Sequence, residues 1–127
     1  MTEQLDQRAA PRHQQRMLIY KIFRGPEWQA LQSDGSTLGA PVDREDGYIH
    51  LSTAEQAPET AAKFFAGIEG LWLIAVETDG LDNLHWEPSR GGALFPHLFR
   101  PLRMDDVIWA KPLPVVDNEH AFPEAMV

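Results

Sequence analysis

The sequence predicts an α+β domain on three observations. Compact runs rich in β-branched and aromatic residues, "LIYKIF", "YIHLS", "LWLIAVET" and "VIWAK", read as strands. Two segments, "PEWQALQ" and "ETAAKFFAGIEG", space their apolar residues along one helical face instead. The order is strand, helix, strand, helix and then mostly strands, which favours antiparallel pairing in the second half. At 127 residues, 43% hydrophobic and 24% charged, the chain suits one domain with a real core. Its expected bounds are 17–116, behind a flexible polar leader over 1–16 and ahead of a polar tail over 117–127.

The first strand, Leu18 to Phe23, stops at the turn-forming Arg24-Gly25-Pro26. Pro26 then opens a short helix that carries Trp28 and Leu31. Residues 33–46 are rich in Ser, Gly, Asp and Pro and read as a loop, of a length that is often functional. "YIHLS" is the second strand, and Ser52 with Glu55 three residues on forms a capping box for a second helix. That helix places Ala61, Ala62, Phe65 and Ile68 together and ends at Gly67 or Gly70. "LWLIAVET" is the most apolar run and reads as a central strand, with "GLDNLHWE" as its hairpin partner. "PSRGGALFPHLFRPL", with its prolines and paired glycines, reads as a long irregular segment where a site would sit, and Val107 to Lys111 as a last strand.

Composition removes several classes of function. The absence of cysteine excludes disulfides, thiolate catalysis and cysteine-ligated zinc. A formal charge of −8 works against generic binding to DNA, an RNA backbone or an anionic membrane. No apolar run approaches the ~20 residues that cross a bilayer, and the N-terminus has no signal-peptide stretch, so a cytoplasmic location is expected. Cationic character is concentrated: from Leu84 to Arg103 the only acid is Glu87, against Arg90, Arg100, Arg103, His85 and His97.

Within "DGYIHLSTAEQ", strand alternation puts Tyr48, His50 and Ser52 on one face and Ile49 and Leu51 on the other. His50 is then either a proton donor or acceptor for a ligand near neutral pH, or a ring hydrogen-bonded into the fold. Ser52 and Thr53 either help bind an anion at a helix mouth or simply cap it. In "WEPSRGGALFPHLFR", an arginine fork and flexible glycines suit an anionic ligand, which makes Arg90, Gly91, Gly92, His97 and Arg100 candidates beside Glu87. Trp86 and Phe95 read as core. His50, His85, His97 and Glu87 could each ligate a metal, but none falls at a helical i, i+4 spacing or in a short ligand motif, so no metal site is expected. Ser52 lacks the Gly-x-Ser-x-Gly elbow of a serine nucleophile.

Taken together and in order, "DGYIHLSTAEQ", "TAAKFFAG", "LWLIAVE", "WEPSRGG" and "FPHLFRPL" resemble the bacterial and plant family known as domain of unknown function 952, from about Ile19 to about Val116. The resemblance implies an ADP-ribosyltransferase-like fold, a split, curved pair of small sheets with two short helices, which in other families grips NAD in its cleft. By the same resemblance, His50 with Ser52 and Thr53 is similar to the element that orients the nicotinamide ribose. His97 is similar to a second histidine of RNA 2'-phosphotransferases of this fold. Leu51 stands where a glycine usually follows the first histidine, and Glu87 does not align with the catalytic glutamate. The expected ligand is a small anionic nucleotide-like molecule, NAD or an ADP-ribose derivative, with an RNA 2'-phosphate as a further candidate. Transfer or removal of an ADP-ribosyl-type group is the expected chemistry, and a non-catalytic sensor or interaction domain is the alternative.

Overall fold

The computed structural model describes residues 17–124 and Met126, with the backbone alone at Arg90; the leader expected over 1–16 lies outside the described residues. The chain forms β1 (Leu18–Arg24), α1 (Gly25–Asp34), β2 (Ser36–Thr37), α2 (Pro41–Asp46), β3 (Ile49–His50), β4 (Ser52–Thr53) and α3 (Ala57–Phe64). It continues through β5 (Leu71–Glu77), β6 (Leu84–Pro88), β7 (Leu94–Leu98), β8 (Leu102–Arg103), β9 (Val107–Leu113), β10 (Val115–Val116) and β11 (Glu119–His120). The architecture is α+β with antiparallel strand pairs.

One sheet has the order β4-β1-β5-β9 and a second the order β3-β7-β6, while β2-β8 and β10-β11 are two-residue pairs. β1 and β5 lie side by side from Leu18 opposite Glu77 to Arg24 opposite Leu71. Both are covered on both faces, which explains their near-continuous apolar sequence. Leu18, Tyr20 and Ile22 join Leu71, Leu73, Ala75, Ala61 and Leu113 in one core. Ile19 and Phe23 join Ile74, Val76, Trp28, Leu31, Ile49 and Leu98 in the other. The second core is thus sandwiched between the four-stranded sheet on one side and α1 with the three-stranded sheet on the other.

Four expectations are corrected. "YIHLS" is not one strand: His50 ends β3 in the smaller sheet, Ser52 begins β4 in the larger, and Leu51 alone carries the chain across. The Leu51 N–H donates to the Pro96 carbonyl at 3.0 Å, so the crossing stays hydrogen-bonded to β7. Ser52 caps no helix, because α3 begins only at Ala57; its hydroxyl instead meets that of Thr60 at 3.0 Å. The loop expected over 33–46 contains β2 and the helix α2, so the described residues hold three α-helices. "NLHWEP" is no hairpin partner of β5: β6 pairs with β7, itself built from the segment expected to be irregular, with Pro96 inside it. Towards the C-terminal end, β10 and β11 form a hairpin, the His120 ring meets the Ile68 carbonyl at 2.8 Å, and Phe122 packs on the first core.

Candidate active site

Asp43 organises the site. It occupies the first turn of α2, and its Oδ2 accepts the Ala40 N–H at 2.8 Å, closing that turn. The same oxygen lies 2.7 Å from the Lys21 ammonium. Its Oδ1 accepts the His50 backbone N–H at 3.0 Å and faces the ring Nδ1 of His50 at 2.7 Å. These partners satisfy a carboxylate whose side chain is fully buried. Burial by itself would raise its pKa, but the His50 hydrogen bond and then the Lys21 charge outweigh it and hold Asp43 at about 2. Gly39 leaves the necessary space: its φ is +99°, and a Cβ there would land on the Asp43 side chain.

Lys21 sits in the middle of β1 and is as buried as its apolar neighbours. Burial pushes its ammonium below the ordinary lysine value, against the opposing pull of Asp43. It also donates to the His50 carbonyl at 3.0 Å. Strand β3 is therefore held to β1 and α2 at His50 by backbone, ring and ammonium together.

His97 arrives from β7, directly opposite His50 in the antiparallel register. Opposed residues share a face, and the two ring centroids lie 5.4 Å apart. The Nδ1 of His97 is 2.7 Å from Glu87 Oε1, as the Nδ1 of His50 is from Asp43. Each carboxylate fixes a ring orientation and leaves Nε2 as the working nitrogen. The rings differ there: Nε2 of His50 lies 3.0 Å from Asp46 Oδ2, whereas no such partner meets Nε2 of His97 among the described residues. Tyr48 packs on both imidazoles, with centroids 4.7 Å from His50 and 4.3 Å from His97. Desolvation and then the nearby carboxylates Asp46, Glu87 and Asp43 push its phenol up from the usual value.

Both histidines line a cleft of about 700 Å³ at the point where the chain crosses between the sheets. Its polar wall includes Lys21, Ser52, Thr60 and Ser89; its apolar wall includes Ile22, Phe64, Phe65 and Phe95. At the lip, Arg24 lies 5.1 Å over the Phe65 ring and 3.9 Å from Glu27, with its side chain 46% exposed.

The cleft gathers some of the residues expected from sequence and not others. His50, His97 and Ser52 line it, Glu87 reaches it through His97, and Tyr48 backs the rings. Thr53 turns away, exchanging hydrogen bonds with Gln56. Arg100 is committed elsewhere, gripped by Asp82 at 2.7 Å and by Asp106 at 2.9 Å and 3.1 Å. Gly91 and Gly92 form the left-handed turn between β6 and β7, just beyond Ser89. Sequence reasoning passed over Lys21, Arg24, Asp43 and Asp46. A charged residue centred in "LIYKIF" and the Pro41-Val42-Asp43 helix start were the available signals.

The family model described as protein of unknown function (DUF952) matches residues 22–110. The chain belongs to the DUF952 family. A DUF952 chain of this fold is similar to the crystal structure of protein CC0527 from Caulobacter crescentus, with a TM-score of 0.78 and 49% identity over 81% of this chain and 91% of that one. The solution NMR structure of CC0527 gives a TM-score of 0.74, again at 49% identity, over 81% and 90% of the two chains. Among curated proteins, none matches.

Proposed function

We propose that the cleft binds an anionic, nucleotide-like small molecule, NAD or an ADP-ribose derivative, and transfers or removes an ADP-ribosyl-type group in the cytoplasm. The observation that carries this reading is the pair of imidazoles 5.4 Å apart, each aligned by a carboxylate, in the wall of a cleft of about 700 Å³. Such a volume suits a ligand of nucleotide size, and apolar walls with a few convergent polar groups suit a base and a ribose. In this reading His50 and His97 border the ribose, and the rings of Phe64, Phe65 and Phe95 flank the heterocycle. Lys21 is already neutralised by Asp43, so Arg24 is the described cation with room for a phosphate. Arg90 and the backbone of Gly91 and Gly92, next to Ser89, are proposed for the second phosphate. The ADP-ribosyltransferase-like fold that the sequence resemblance implies is part of the same proposal.

A non-catalytic sensor is the second reading, and two observations favour it. Leu51 follows His50 where a glycine is usual, and Glu87 is occupied with His97 and not free to activate an acceptor. Titration of the protein with NAD, ADP-ribose and a 2'-phosphorylated oligonucleotide, read by thermal shift, tests the proposal. Stabilisation by one of these that is lost in His50→Ala and weakened in Arg24→Ala is the expected result. No stabilisation by millimolar ligand would dismiss it.

A further inference from the structure

The proposed function leaves open whether the group is taken from NAD or from an oxygen-linked adduct. The two histidines differ in a way that decides between these. His50 has a carboxylate at each ring nitrogen, Asp43 at 2.7 Å and Asp46 at 3.0 Å. The Asp43 contact is a hydrogen bond and the Asp46 oxygen stands within ion-pair distance of Nε2, a setting that suits a ring carrying both protons. His97, which lines the cleft, has one carboxylate, Glu87 at 2.7 Å from Nδ1, and Nε2 is left as its other ring nitrogen. One ring is thus arranged to give a proton and the other to take one. The register sets the two residues opposite one another on β3 and β7, with their ring centroids 5.4 Å apart.

Water is the nucleophile in this inference, ahead of the Ser52, Thr60 and Ser89 hydroxyls of the cleft wall. Cysteine is absent from the chain, and the Ser52 hydroxyl is paired with Thr60. A donor–acceptor pair of this kind is useful when an attacking water must lose a proton and a leaving oxygen must gain one. Nicotinamide departs from NAD as a neutral base and needs no proton. We infer that the substrate class is an O-linked ADP-ribosyl adduct with a poor alkoxide leaving group, cleaved by water; this rests on the ADP-ribose reading above. The Nε2 of His97 removes a proton as the water oxygen bonds to the anomeric carbon. The bond from that carbon to the leaving oxygen breaks with its electron pair, and that oxygen takes the proton from His50 Nε2. Solvent exchange then returns both rings to their starting states. Asp46, whose side chain is 40% exposed at the end of α2, stands 3.0 Å from His50 Nε2 and its charge favours the proton there until transfer.

The test compares two substrates of different leaving group, a serine-linked ADP-ribosyl peptide and p-nitrophenyl ADP-ribose. With the wild-type protein both are hydrolysed. His50→Gln, which keeps a side-chain amide toward Asp43, slows the serine-linked substrate by about 10²–10⁴-fold and the p-nitrophenyl one by less than about tenfold, because p-nitrophenolate leaves without help. His97→Gln slows both by similar factors. Circular dichroism melting and ADP-ribose titration of each variant separate loss of fold and loss of binding from loss of proton transfer. ADP-ribose binding without hydrolysis of either substrate, or equal slowing of both by His50→Gln, overturns this inference and leaves the binding reading intact. Absence of ADP-ribose binding removes that reading together with the inference built on it.

Discussion

At the scale of single residues, the site rests on Asp43 more than on either histidine. One buried carboxylate fixes the His50 ring, neutralises Lys21 and closes the first turn of α2. Asp43→Asn leaves the buried Lys21 charge without its counter-ion and is expected to cost about 3 kcal/mol in urea unfolding. The same group sets an acid limit. Its pKa falls from an ordinary 3.8 to about 2 on folding, so its ionised form stabilises the fold at pH above about 4. That contribution, roughly 2 kcal/mol, is lost as pH falls from about 4 through about 2. Unfolding measured from pH 6 to pH 2 should show this loss in the wild type and a smaller one in Asp43→Asn; identical acid profiles would remove Asp43 from this role. His50 was legible as a candidate because a titratable ring in "YIHLS" stands out among apolar neighbours. Asp43 was not, since a single acid in a polar stretch carries no periodicity, and only the fold shows it buried.

At the scale of elements, strands covered on both faces were readable and short connecting ones were not. "LIYKIF" and "LWLIAVET" are β1 and β5, and "PEWQALQ" lies in α1, because each has enough apolar residues to state its period. β3 and β4 have two residues each, too few for a pattern, and the sheet change at Leu51 depends on tertiary pairing with β7 and β1. Prolines and glycines in the segment after Trp86 suggested irregularity, yet β7 tolerates Pro96 and the glycines serve only the turn before it. Element-level predictions follow from the two unexpected pieces. Gly39→Ala combines a left-handed φ with a clash on Asp43 and should lower stability by about 1–3 kcal/mol, against a negligible change if α2 merely floats on the surface. Ending the chain at Val116 removes β11 and the packing of Phe122, and a loss of about 2 kcal/mol in chemical unfolding is expected. An unchanged midpoint would show that residues after 116 are the loose tail their polar sequence suggests.

At the scale of the molecule, two cores on opposite faces of one sheet leave a seam where β4 and α3 meet β3 and β7, and the cleft opens along it. A net charge of −8 surrounds a cleft whose own cations are mostly paired, so the proposed phosphate ligand would meet Arg24 and the histidines with little long-range attraction. Within the described residues, no helix is long and apolar enough to cross a membrane. Fold class was legible because it depends on summed hydrophobic patterning. The pairing of His50 with His97, forty-seven positions apart by their numbering, is a matter of strand register that one sequence does not state. The central claim is that these two rings act on one ligand. Long-range proton–nitrogen correlation spectra of the imidazoles during an ADP-ribose titration test it most directly. The Nε2 signals of His50 and His97 should shift together with one dissociation constant while those of His85 and His120 stay fixed. Signals of His50 and His97 that do not move at millimolar ligand, or that move with different constants, would contradict it.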